Sequence, residues 1–206
     1  MSDCRLYLVA PPGLASGEVE LAVFLPALQK ALSGGDVAAF LLRDEGAGEE
    51  QLYQVLDSIR PLTQKRDVAL LVENRADVAG NADCDGLQLP PNPVAIRSVK
   101  QALGEDVIVG ADCGSSRHLA MVAGEAGADY VTFDASETET ITWWVELMEV
   151  PCVAWGGITL ESAPGIVAAG ADFLMVGQAV WTAPKGPKAA VAAFQRLLRE
   201  TESELA

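Results

Sequence analysis

One histidine, His118, and four scattered cysteines, Cys4, Cys84, Cys113 and Cys152, are all the soft metal ligands in this chain of 206 residues. The cysteines are widely scattered, no two have C-x-x-C spacing and only one histidine is there to join them, which argues against a structural zinc centre. The thiols read as small buried hydrophobes; Cys113, just past a strand, is the one that could face a cavity. Cations are scarce as well. Fourteen Lys and Arg against 29 Asp and Glu give a net charge of −15, a field that repels phosphate backbones and anionic lipid, so neither nucleic acid nor membrane is an expected partner. No apolar run approaches the roughly 18 uncharged residues of a membrane helix. No basic-then-apolar leader precedes the first strand pattern, which points to a cytoplasmic protein. No linker, charge block or low-complexity tract interrupts the chain, so a single domain over 1–206 is expected.

What is present is a repeat. Residues 125–133 and 168–176 share one design: a helix ending in Gly127 or Gly170, an Asp turn at Asp129 or Asp172, then an apolar strand. A third copy surrounds Asp85. The copies are separated by the length of two successive strand–helix units. Strand patterns fall at 5–10, 37–42, 68–72, 86–89, 107–110, 130–133, 152–155 and 173–176, several as continuous apolar runs rather than alternating ones. Helical patterns fall at 20–32, 49–63, 94–103, 117–126, 140–148, 160–169 and from 187 to about 202, the last ending in a frayed acidic tail. The connection from 75 to 85 allows only a single turn or an irregular crossover. Gly34, Gly104, Gly127 and Gly170 are read as left-handed helix caps. The fold class that follows is α/β, a (β/α)8 barrel with a parallel sheet.

In such a barrel the segments after each strand form the active face. These nominate Arg43, Glu73, Asn74, Arg75 and Asp112 as weak catalytic candidates. Gly156 and Gly157 after the seventh strand, with Val176 and Gly177 at the eighth, read as a phosphate site, because glycine lets backbone N–H groups approach an anion. The alternative is that these glycines only permit tight turns. Trp155 and Trp181, beside these loops, either stack on a flat ring or close the barrel top. Of Trp143 and Trp144, one should pack on the barrel and the other mark a subunit contact, hence a homodimer.

Leu6-Tyr-Leu-Val9, Leu70-Leu-Val-Glu-Asn-Arg-Ala-Asp77, Asp85-Gly-Leu-Gln-Leu89, Ala126-Gly-Ala-Asp129 and Val153-Ala-Trp-Gly-Gly-Ile158, in this order, resemble the thiamine-phosphate synthase family, thiazole tautomerases included. The resemblance implies the same barrel, the joining of a pyrimidine pyrophosphate to a phosphorylated thiazole with Mg²⁺, and a substrate phosphate held by Gly157, Val176 and Gly177. The pyrophosphate side departs from the family. Its Gln-Leu-Arg-x-Lys is Leu41-Leu42-Arg43-Asp44-Glu45 here, and its Asn-Asp is Glu73-Asn74. His-Leu-Gly-Gln-x-Asp is Gln88-Leu89-Pro90-Pro91-Asn92-Pro93, so neither magnesium aspartate remains. Ser-x-His becomes Asp112-Cys113-Gly114, which removes the tautomerase histidine; His118 belongs to the next helix. The lysine expected after the sixth strand is absent from 134–140.

Two unit charges about 4 Å apart interact by roughly 4 kcal/mol at an effective dielectric near 20, so exchanging lysine for glutamate beside a leaving pyrophosphate is costly. The expectation is therefore a barrel that binds a phosphorylated small molecule, thiazole phosphate or thiamine phosphate, without metal or other cofactor. The alternatives are an active synthase with rearranged ligands, for which Mg²⁺ would be required and Glu73 and Asp112 would recruit it, and a phosphate-handling isomerase using Glu73 or Asp112 as base.

Overall fold

The computed structural model describes residues 4–205, and the reading of the extreme N-terminus as leaderless falls outside them. Eight parallel strands, β1 (Arg5–Val9), β2 (Ala39–Leu42), β3 (Ala69–Glu73), β4 (Gly86–Leu89), β5 (Ile108–Asp112), β6 (Tyr130–Asp134), β7 (Cys152–Trp155) and β8 (Phe173–Val176), close into a barrel in chain order, β8 pairing back onto β1. Between them run α1 (Leu21–Leu32), α2 (Glu49–Gln64), α3 (Ala76–Asn81), α4 (Pro93–Leu103), α5 (Arg117–Glu125), α6 (Thr138–Leu147) and α7 (Ala163–Ala168). A single-turn α8 (Gln178–Trp181) and a long α9 (Pro187–Leu205) follow β8. No helix among the described residues is long and apolar enough to cross a membrane.

Alternation along each strand sorts side chains into two cores. One cluster packs the outer face of the sheet against the helices; Leu8, Phe40, Val72, Phe133 and Leu174 belong to it and are essentially inaccessible. The other fills the barrel and contains Tyr7, Leu41, Leu71, Tyr130, Val153 and Met175. A Cβ on Gly110 would collide with the Tyr130 ring, so this glycine is the space the phenol occupies.

The repeated aspartates are a closure device at the N-terminal end of the barrel. Asp85, Asp129 and Asp172 precede β4, β6 and β8, and each carboxylate accepts the N–H of one residue of the preceding strand: Leu70 at 2.7 Å, Val109 at 2.7 Å and Cys152 at 2.8 Å. The backbone N–H of each aspartate donates to the carbonyl of the same residue. Two hydrogen bonds to one neighbour fix register before the strand begins, which explains why this turn recurs at every second unit.

The structure modifies several sequence expectations. The short third connection is a six-residue helix, α3. Strands β3, β5 and β6 run on to Glu73, Asp112 and Asp134, so these carboxylates stand on the sheet rather than in loops. Gly104, Gly127 and Gly170 have positive φ, whereas Gly34 does not. Gly34 is required by contact, since a Cβ there would lie 2.6 Å from the Lys188 carbonyl oxygen. The last helix continues through Leu205 instead of fraying near 202. Its buried Val191, Phe194, Leu198 and Thr201 recur at helical spacing and hold it to the barrel.

Candidate functional site

Glycine makes one half of the barrel mouth. Gly156 and Gly157 follow β7 with φ of 99° and 63°, two successive left-handed residues that a side chain would strain. Gly177 is needed for closeness: a Cβ there would sit 2.7 Å from Val9 Cγ1. These three glycines, with Arg43, Trp155, Ile158, Gln178 and others, line a cavity of about 170 Å³. Gln178 and Ala179 open α8, so their N–H groups belong to the first turn that a helix leaves without internal acceptors. This extra turn is too short to be read from periodicity.

The other half is acidic. A second cavity of about 140 Å³ is lined by Glu73, Asn74, Gln88, Leu89, Pro90, Pro91 and Asp112. Glu73 accepts the Asp44 N–H at 3.3 Å, and Asp112 accepts the Thr132 hydroxyl at 2.9 Å and the Gly114 N–H at 3.4 Å. Asn74 has φ of 57°, a conformation that a short amide side chain tolerates.

Arg43 joins the halves. Its guanidinium lies 5.7 Å from the centre of the Trp155 ring, and its Nε is 3.6 Å from the Glu73 carboxylate. That separation is an ion pair without a hydrogen bond. Arg43 Nε and Asp44 Oδ1, which lies 3.6 Å from Arg75, are the two buried side-chain polar atoms without a hydrogen-bond partner among the described residues. Both are in the segment after β2.

The remaining nominated residues are dispersed. Arg75 borders neither cavity; its guanidinium holds Asp77 at 2.8 Å and donates to the Ala47 carbonyl, in the loop after β2, at 3.4 Å. The Val176 side chain is buried in the outer core, because the inward positions on β8 are Phe173 and Met175. Cys113 is buried rather than open to a cavity, with its thiol pushed up to about 12 by burial and then by Asp112. His118 is exposed on α5. Trp181 packs in the layer between the sheet and the helices: its indole donates to the Val9 carbonyl at 2.7 Å and packs edge-on against Phe24 and Phe40. Trp144 is buried against Phe133, and Trp143 is half-buried under Arg117.

Glu45 was not anticipated in its actual position. Both its oxygens accept the Gly13 N–H, at 3.1 and 3.0 Å, which turns the carboxylate onto the loop after β1 and away from both cavity linings. Asp134 stays near the glycines, its Oδ2 3.7 Å from where a Gly156 Cβ would lie. Hydrogen bonds from the Ser136 hydroxyl and N–H hold this carboxyl below its ordinary range, so it is negative at neutral pH. An anion is therefore better placed at Gly157 and Gly177 than at Gly156.

Residues 6–180 match the family model described as thiamine monophosphate synthase. The thiamine-phosphate synthase of Rhodospirillum centenum is 47% identical, covering 97% of this chain and all of its own length. That of Hyphomonas neptunium is 37% identical over 94% of this chain and 93% of its own. Among solved structures, a thiamine phosphate pyrophosphorylase from Pyrococcus furiosus superimposes with a TM-score of 0.82 at 27% identity, covering 97% of this chain and 98% of the other.

Proposed function

Because the chain belongs to the thiamine monophosphate synthase family, we propose that it binds a phosphorylated small molecule, thiazole phosphate or thiamine phosphate, and has lost the family's magnesium- and pyrophosphate-dependent step. The observation that carries this reading is the division of the barrel mouth. On one side, Gly157, Gly177 and the first turn of α8 offer N–H groups around a cavity that Arg43 borders. On the other, Glu73 and Asp112 line the space a pyrophosphate would need, with prolines at 90 and 91.

The residues present do not suit the family's magnesium. Asn74 and the segment 90–93 supply an amide and prolines where the family pattern has aspartates, and Glu73 and Asp112 already accept hydrogen bonds from the protein. Among the described residues no group of three or more His, Cys, Asp or Glu side chains is gathered to hold a metal ion. No chemical step is therefore assigned to a metal here.

A second reading has one observation in its favour. Glu73 and Asp112 border the same cavity, and Mg²⁺ is often held by one or two carboxylates together with substrate phosphates. An active synthase with this rearranged pair is the alternative. The decisive experiment supplies thiazole phosphate, the pyrimidine pyrophosphate and Mg²⁺ and follows thiamine phosphate. The binding reading expects no turnover above background, with thermal stabilisation by thiazole phosphate and less by unphosphorylated thiazole. Turnover near 1 s⁻¹, an ordinary enzyme rate of about that order, abolished by Glu73→Gln and Asp112→Asn, would establish the alternative.

A further inference from the structure

The opposite end of the barrel holds an opening that neither reading uses. TIM-type barrels fill their interior with layers of bulky branched side chains. Here the lowest inward positions of β2 and β3 are Ala39 and Ala69, facing Ile108 and Phe173, the first residues of β5 and β8. A cavity of about 190 Å³ results, open at the N-terminal mouth and bounded above by Tyr7, Leu71, Tyr130 and Val153. Its volume is of the order of the apolar protein cavities, about 150 Å³, that admit a benzene ring.

The polar roof has a defined direction. The Tyr130 hydroxyl donates to Gln88 Oε1 at 3.1 Å, so in the 3.0 Å contact between the two phenols Tyr7 must be the donor and Tyr130 the acceptor. The Tyr7 oxygen therefore keeps its lone pairs and has no proton left to give. At the rim, Arg5 is engaged in two parallel bonds to Asp36, 2.7 Å from Nε and 3.0 Å from Nη2, and so offers no free charge to an anion.

We infer that the N-terminal mouth of the barrel is a second binding site, for a small neutral ring carrying one hydrogen-bond donor that reaches the Tyr7 oxygen. The apolar walls select the ring, the paired Arg5 gives a carboxylate or phosphate no advantage, and the phenolic oxygen accepts the hydroxyl or amine proton. This site is independent of the phosphate cavity, which lies at the other ends of the same strands.

Phenol, with benzene as its donor-free counterpart, tests the assignment on the full chain. Saturable phenol binding should shift the methyl resonances of Ile108 and Val153 and leave those of Ile158 unmoved. Ala69→Leu, which fills the opening, should weaken phenol at least tenfold. Tyr7→Phe, which keeps the shape, should weaken phenol by about five- to tenfold, the worth of one neutral hydrogen bond, while benzene binding stays within twofold. If Ala69→Leu fails to fold, the phenol and benzene comparison in Tyr7→Phe decides alone. No shift up to the solubility limit of phenol, equal binding by wild type and a folded Ala69→Leu, or equal loss of both probes in Tyr7→Phe would overturn the inference.

Discussion

Gly177→Ala separates what the glycine does for the fold from what it does for an anion. The added Cβ would lie 2.7 Å from Val9 Cγ1 and 3.3 Å from the Val9 carbonyl oxygen, which already receives the Trp181 indole. Relief requires β1 or α8 to shift. Overpacking of this kind costs about 1–3 kcal/mol, and at about 2–4 °C per kcal/mol for a chain of this size the melting temperature should fall by about 2–12 °C. On the proposed reading the methyl also displaces one charge-assisted N–H contact to phosphate, worth about 1.5–3 kcal/mol, or about 10- to 150-fold in affinity. Unphosphorylated thiazole makes no such contact, so its binding should change little and the phosphate preference should collapse. Gly186→Ala is the control. It places a residue at φ of 82° with nothing near the new methyl, so it should lower stability by about 1–2 kcal/mol and leave the preference intact. Calorimetric titration of both thiazoles against the three proteins reads the result. An unchanged preference in folded Gly177→Ala would remove the phosphate site from this position.

Asp129→Ala should lower stability by about 1–3 kcal/mol, because it strands the Val109 N–H and removes the 2.7 Å ionic partner of the nearly buried Lys100; Asp129→Asn, which keeps an acceptor, should lose less in chemical denaturation. Cys84, Cys113 and Cys152, each pushed up to about 12 by burial first, should resist iodoacetamide at pH 8 in the native protein and react after denaturation; rapid native labelling at any of the three would contradict the packing. Arg5 holds the Asp36 carboxyl below its ordinary range, so the pair's contribution is present above the unfolded carboxyl value near pH 4 and fades as pH falls through the lower native value. The partners are about half exposed, so Arg5→Ala should cost well under about 1 kcal/mol at pH 7 and flatten the acid limb of stability against pH by no more than that.

The barrel was legible because its strands are apolar runs closed by Gly and Asp turns, and those turns carry the register bonds of Asp85, Asp129 and Asp172. Strand ends were less legible where carboxylates sit on them: Glu73 and Asp112 are poor strand formers, yet pairing with β4 and β6 extends both strands to include them. Val176 was nominated for its backbone, and alternation along β8 turns its side chain outward while Phe173 and Met175 point into the barrel. Arg75 was nominated from proximity in sequence, but its neighbour Asp77 captures it. The position of Glu45 and the Tyr7–Tyr130–Gln88 chain had no local signal, because both depend on residues brought together only by closing the barrel.

Glu45 also changes how the charge count at the mouth is weighed. From sequence, a glutamate in the place of a lysine puts a negative charge beside any phosphate. In the structure that carboxylate accepts the Gly13 N–H and fastens the loops after β1 and β2, so it lines neither cavity. The opposing charges that do face ligand space are Glu73 and Asp112, with Arg43 held between Glu73 and the Trp155 ring. An anion arriving at Gly157 and Gly177 competes with Glu73 for a guanidinium whose Nε has no hydrogen bond to lose. A pyrophosphate in the second cavity would meet two carboxylates with no cation on its lining. On the proposed reading, the arginine that would favour a single phosphate borders the glycine cavity and not the second one, so adding a cation opposite Glu73, rather than changing Glu45, is the substitution expected to raise synthase turnover.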